Sequence, residues 1–229
     1  MHIPSWLITI CAYMEHLASL VVLLPLGLAF WRWRWLSAPL RVLAASLIFT
    51  ELVLLTSSLI SLYRPGWMYG LWHFFTIVQT LLFFRLYYLT LSSRAIRRGI
   101  VAVAVAFTAF ALLDSLYLEG LHQVNSYTHV AQSALLIGLA LLYFEQLLND
   151  LHVTRLERDP LFLVSAAVVL YFSGTVLLYV FMNKLATPAD QASQQVINTL
   201  NAVVNLIKYF LFALAFWYTG RTPQVSPRI

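Results

Sequence analysis

A chain of 229 residues that is 61% hydrophobic and only 10% charged is not a soluble globular domain, for which roughly 45–50% apolar and about 25% charged residues are usual. Its net charge of +5 is no nucleic-acid signal, because the basic residues are spread over several short loops. The lone Cys11 excludes an intrachain disulfide and says nothing about redox compartment.

Seven apolar stretches follow one another, at 6–31, 40–63, 66–92, 98–118, 126–150, 160–183 and 193–219. Each has the length of about 20 residues that a bilayer crossing needs. They leave no room for a soluble domain, so the chain reads as a single domain over 1–229. Only helices and closed barrels satisfy their backbone in lipid, and stretches this long are expected to be helices. The expected fold is an all-α integral membrane protein, a seven-transmembrane helix bundle. The N-terminus lacks the basic n-region of a cleaved signal peptide, and its first apolar run is long enough to span. Pro39, Pro65 and Pro160 suit first helical turns, and Gly120 and Gly220 suit helix ends.

Loop charges give an orientation. Arg32, Arg34, Arg41, Arg94, Arg97, Arg98, Arg155, Arg158, Arg221 and Arg228 fall on one side; Arg64 and Lys184 fall on the other. The positive-inside rule then expects the N-terminus outside and the C-terminus in the cytoplasm. Trp31, Trp33 and Trp35 at one boundary and Trp67, Tyr69 and Trp72 at the other form interfacial belts. No internal repeat of the kind built into seven-span sugar transporters is apparent between spans 1–3 and 5–7.

The last span carries Gln194, Asn198, Asn201, Asn205 and Lys208, spaced so that all five lie on one helix face. Such a face is costly in lipid and is expected to look into a protein interior. Glu51, Gln79, Asn205 and Lys208 fall near the middle of their spans, and Glu15 and His16 lie slightly outward. Arg85 and Glu145 lie toward the cytoplasm, and His73, Asp114 and His129 toward the outside. Matched depth suggests two ion pairs: Lys208 with Glu51 or Glu15, and Arg85 with Glu145. The plainer reading of the asparagines is glue between helices, at roughly 0.6 kcal/mol each. The outer half is rich in Tyr13, Tyr69, Trp72, His73, Thr76, Tyr117, Tyr127, His129, Gln132 and Tyr179. These line either a cavity open to the outside or an aromatic belt.

Enzyme signatures are weak, and the chain reads as a non-enzyme. Seven-span zinc hydrolases need several histidines at helical spacing, and no His-x-x-x-His pair occurs. Retinal on Lys208 is the one cofactor with a candidate anchor, but a carboxylate in span 3 and the span-6 tryptophan and proline are missing. The features of G-protein-coupled receptors are also missing: Phe84 precedes Arg85, Leu206 stands where a proline is expected, and one cysteine makes no bridge. Asp159 before Pro160 reads as an N-cap of span 6.

The stretch Leu141-Leu142-Tyr143-Phe144-Glu145-Gln146-Leu147-Leu148-Asn149, followed by Arg158-Asp159-Pro160-Leu161-Phe162 and Tyr171-Phe172-Ser173-Gly174, resembles a family of small seven-span proteins of Bacteroidota with no assigned activity. Glu51, Asn201 and Asn205 also fit its pattern. The resemblance implies a bacterial inner-membrane location and a sensory role beside a partner such as a histidine kinase. Together these features point to a membrane receptor or sensory subunit, binding a small molecule or lipid in its outward half. Glu51, Gln79, Asn198, Asn201, Asn205 and Lys208 would make its polar floor, and Tyr69, Trp72, His73, Tyr127 and His129 its walls. The alternatives are a proton-coupled carrier that uses Lys208 and the midplane carboxylates, and a structural subunit of a membrane complex.

Overall fold

A computed structural model describes residues 20–63, 67–118, 120, 125–149, 156–185 and 191–220, with the backbone alone over 177–185 and 191–197. Every regular element among the described residues is helical. The helices are α1 (Leu23–Trp31), α2 (Ala38–Tyr63), α3 (Met68–Thr90), α4 (Arg94–Leu113), α5 (Ser126–Asn149), α6 (Pro160–Leu185) and α7 (Gln191–Tyr218). A π-helical turn, Asp114–Leu118, continues α4.

Four stretches are long and apolar enough to cross a membrane: Ala38–Tyr63, Arg94–Leu118, Ser126–Asn149 and Asn198–Tyr218. They fit a membrane-embedded protein. The distribution of side chains agrees with that. Leu52, Leu55, Leu59 and Leu62 on α2 and Val101, Val105 and Leu112 on α4 are exposed, whereas His73, Asp114, Gln132 and Lys208 are buried. Exposed apolar area on this scale is a liability in water and none in hydrocarbon. With 23 residues α3 is as long as the others, but His73, Gln79 and Arg85 lower its hydropathy.

Local chemistry sets the helix ends. The Asp159 carboxylate accepts the Phe162 N–H at 2.6 Å, the N-cap expected for α6. Ser93 caps α4 by accepting the Ile96 N–H at 3.5 Å. Gly120 and Gly220 take φ of +75° and +76°, the left-handed conformation that favours glycine at a helix end.

The helices fall into two compact units, one of residues 37–149 and one of residues 1–36 and 150–229. In the first, α3 packs against α2, α4 and α5 around Leu43, Phe84, Tyr87 and Leu136. In the second, α7 packs against both α1 and α6 around Val164, Phe172, Phe212 and Phe216. Arg32 closes the end of this second unit. Its Nη1 donates to the carbonyls of Trp217 and Thr219, the latter at 2.8 Å, and so satisfies groups that a helix C-terminus leaves orphaned. Its guanidinium lies 5.8 Å from the rings of both Trp31 and Trp217.

Gly174 is the tightest point between α6 and α7. A Cβ added there would meet Val204 Cγ2 at 3.2 Å. Replacing Gly174 with Leu should therefore overpack the contact and cost about 1–3 kcal/mol. A thermal melt of the purified variant in detergent is expected to show a clearly lowered midpoint; an unchanged midpoint would mean that α6 and α7 do not approach this closely.

Candidate functional site

Most hydroxyls in the helices donate one turn back to their own backbone. Thr50 donates to Ser46 O, Thr56 to Leu52 O, Thr80 to Thr76 O, Thr108 to Ala104 O and Ser133 to His129 O, at 2.6–2.8 Å. Satisfied in this way, they call for no partner from another helix. Side-chain bonds that cross between helices are few, and most of them meet in one place.

That place lies where the N-terminal half of α3 faces the C-terminal end of α4 and the start of α5. From α3 come His73, Thr76 and Gln79; from the end of α4, Asp114 and Ser115; from α5 and the residue before it, Asn125, Thr128, His129 and Gln132. All are buried except His129, which is half-buried. Successive turns place the α3 and α5 members on one face of each helix. Asp114 and Ser115 are neighbours in sequence yet both buried, because the π-helical turn widens the helix there. Gly120 closes that turn, its N–H donating to Asp114 O at 3.2 Å.

Counting protons fixes most of the bond directions. The Thr76 hydroxyl gives its hydrogen to Trp72 O at 2.9 Å. It therefore only accepts from Asn125 Nδ2 at 2.7 Å and from His129 Nε2 at 3.5 Å. Ser115 gives its hydrogen to Ala111 O at 2.8 Å, so His73 Nδ1 donates to the Ser115 oxygen at 2.9 Å. In that arrangement Ser115 faces no base that could take its proton, and the pair is not an activated nucleophile. Thr128 donates to Asp114 Oδ2 at 2.5 Å, and Gln132 Nε2 to Gln79 Oε1 at 3.4 Å.

Two buried atoms of the cluster have no hydrogen-bond partner among the described residues, Asp114 Oδ1 and Gln132 Oε1. Both are acceptors. Asp114 and Gln132 are each 0% exposed, and Thr128, which holds Asp114, lies one helical turn from Gln132. A buried acceptor without a donor costs about 1–3 kcal/mol, and more when it carries charge. The cluster is thus short of donors, and a group that brings N–H or O–H would complete it.

The expected site residues are divided between the two units. His73, Gln79 and His129 join the cluster. Tyr69 and Tyr127 are exposed, as the aromatic-belt reading has it, and Trp72 packs edge-on to Phe75 at 5.5 Å. Glu51 is half-buried along α2. The stripe of α7 belongs to the other unit. Its Asn198 and Asn201 are exposed rather than turned inward. Asn205 donates to Asn201 Oδ1 at 3.1 Å and accepts from Lys208 Nζ at 2.7 Å. The Lys208 ammonium also lies over the rings of Tyr171 at 3.8 Å and Tyr209 at 4.4 Å. The suggested pair of Arg85 with Glu145 is corrected. Both side chains are exposed and no ion pair joins them; Arg85 instead lies over Tyr88 at 5.5 Å. Depth along a span says nothing about which way round the helix a residue faces. Glu15 and His16 lie outside the described residues, as do the side chains of Gln194 and Tyr179.

Sequence reasoning did not assign Asp114, Ser115, Asn125 or Thr128 to the site. The available signal was Asp114 itself, an acidic residue at the end of an otherwise apolar span. No group of three or more His, Cys, Asp or Glu side chains is placed to hold a metal among the described residues. No family model, curated protein or solved structure matches the chain.

Replacing Thr128 with Val keeps the shape and removes the donor to Asp114. The expected cost is about 1–2 kcal/mol, above the roughly 0.6 kcal/mol of an average interhelical bond in a membrane protein, because a carboxyl group loses its donor. Thermal unfolding in detergent measures it; a loss no larger than that of Thr56→Val, whose bond is local, would count against the cluster.

Proposed function

We propose that the chain is a membrane receptor or sensory subunit that takes a small, donor-bearing ligand into the polar cluster of α3, α4 and α5. In this reading it spans the cell membrane seven times with its N-terminus outside. The cluster then lies in the outward half and the ligand arrives from outside. The observation that carries the reading is the pair of buried acceptors, Asp114 Oδ1 and Gln132 Oε1, without hydrogen-bond partners. A carboxyl group at membrane depth is a functional-site candidate by default. Its neighbours here already donate to other acceptors. A ligand with an ammonium or hydroxyl group would supply the missing donor and, if cationic, would offset the carboxylate charge. Binding would favour one packing of α4 against α3 and α5 over another, and a cytoplasmic or membrane partner would read the change.

The second reading is a proton-coupled carrier. A proton on Asp114 also meets the need for a donor, and His73, His129 and Asp114 stand within one hydrogen-bonded neighbourhood. Net movement of a substrate separates the two readings.

The test uses native mass spectrometry of the protein extracted gently from its own host's membranes. A defined small adduct, lost in Asp114→Asn and kept in Lys208→Met, is the expected result. An adduct insensitive to Asp114→Asn would move the site elsewhere. Accumulation of a substrate in vesicles, driven by a pH gradient and abolished by Asp114→Asn, would favour the carrier.

A further inference from the structure

A second feature of the four-helix unit lies apart from the polar cluster. A groove of about 660 Å³ runs between α3 and α4. Its α3 side extends from Leu81 to Tyr88, and its α4 side from Ile100 to Leu112. The small side chains of Ala104 and Ala109 make room, and Phe84, stacked edge-on against Phe107 at 6.0 Å, makes the floor. Val101 and Val105 form an exposed apolar rim. The only charged residue in the lining is Arg85, toward one end. Arg85 is exposed and meets the Tyr88 ring at 5.5 Å; Arg97 meets the same ring at 5.7 Å. Arg94 and Arg98, both exposed, lie at the start of α4 on the same side. No acidic residue lines the groove.

We infer that this groove binds one anionic phospholipid, with its phosphate on Arg85 and an acyl chain lying along α4 toward Leu112. Three observations fit that occupant. The groove opens on a helix long and apolar enough to cross a membrane, so lipid is the solvent it meets. Its run from Ile100 to Leu112 is about 18 Å at 1.5 Å per residue, close to one leaflet of a hydrocarbon core roughly 30 Å thick. It is also polarised: the basic end suits an anionic headgroup and the rest suits a hydrocarbon tail. Basic pockets between membrane helices recognise anionic headgroups in this way. The guanidinium is a better ligand for a phosphate than an ammonium would be, because it offers paired donors in one plane. A partner's transmembrane helix is the competing occupant, but a helix would bring apolar side chains to Arg85 and leave the guanidinium without an anion.

The inference is tested on the full chain in detergent, by native mass spectrometry with added dioleoyl phosphatidylglycerol or dioleoyl phosphatidylcholine. The phosphatidylglycerol adduct is expected to survive at higher collision energy than the phosphatidylcholine adduct. Arg85→Gln should lower its occupancy about fivefold, as expected for one arginine at a membrane surface. Arg85→Lys should retain much of it, and Arg94→Gln, outside the groove, should leave it nearly intact. Ala104→Phe, which fills the floor, should lower adducts of both lipids; if that variant does not fold, the arginine variants decide alone. Equal retention of the two lipids, or an equal loss in Arg94→Gln and Arg85→Gln, would overturn the site. So would a partner helix cross-linked in the groove with no lipid bound.

Discussion

Hydrocarbon offers a polar atom nothing to bond with, and that constraint sorts every polar side chain of this chain. Serines and threonines meet it alone, by bonding to the carbonyl one turn back along their own helix. Amides, imidazoles and carboxyls are too large or too highly charged for that solution and must find one another. They do so in two places. In one unit Lys208 is met by Asn205 and two tyrosine rings. In the other, His73, Thr76, Gln79, Asp114, Ser115, Asn125, Thr128, His129 and Gln132 share one network. The apolar side chains this frees lie outside, where leucines and valines of α2 and α4 are exposed.

The two polar centres differ in how completely they are satisfied. Around Lys208 a cation has a carbonyl oxygen and two π faces, a closed arrangement that accounts for a buried ammonium by structure alone. Around Asp114 the donors run out before the acceptors do. That asymmetry makes the second centre the better candidate for a ligand, although the sequence draws the eye to the first.

The helices were legible because membrane spans announce themselves by length and apolarity. The run at 126–150 became Ser126–Asn149, and the run at 66–92 became Met68–Thr90. Asp159 was readable as a cap because capping is local. The site was legible only in part. His73, Gln79 and His129 stand out as polar residues within spans. Asn125 precedes its helix and looks like loop, and Thr128 looks like any threonine satisfied by its own backbone. The depth of Arg85 and Glu145 was readable, but their direction around the helix axis was not. Pairing by depth therefore joined two side chains that the fold leaves apart.

The π-helical turn at Asp114–Leu118 has a consequence for how separable chemistry and architecture are here. In a regular helix neighbouring residues point about 100° apart, so one of Asp114 and Ser115 would be turned away from α3 and α5. The turn holds one residue more than regular winding needs, and that surplus lets both face inward. Loss of a single residue from this short segment would restore a plain helix with every backbone bond made and the apolar span intact. The protein would still be a sound membrane bundle. What would disappear is the adjacency of carboxyl and hydroxyl, so the cluster rests on an irregularity one residue long that the rest of the fold does not require.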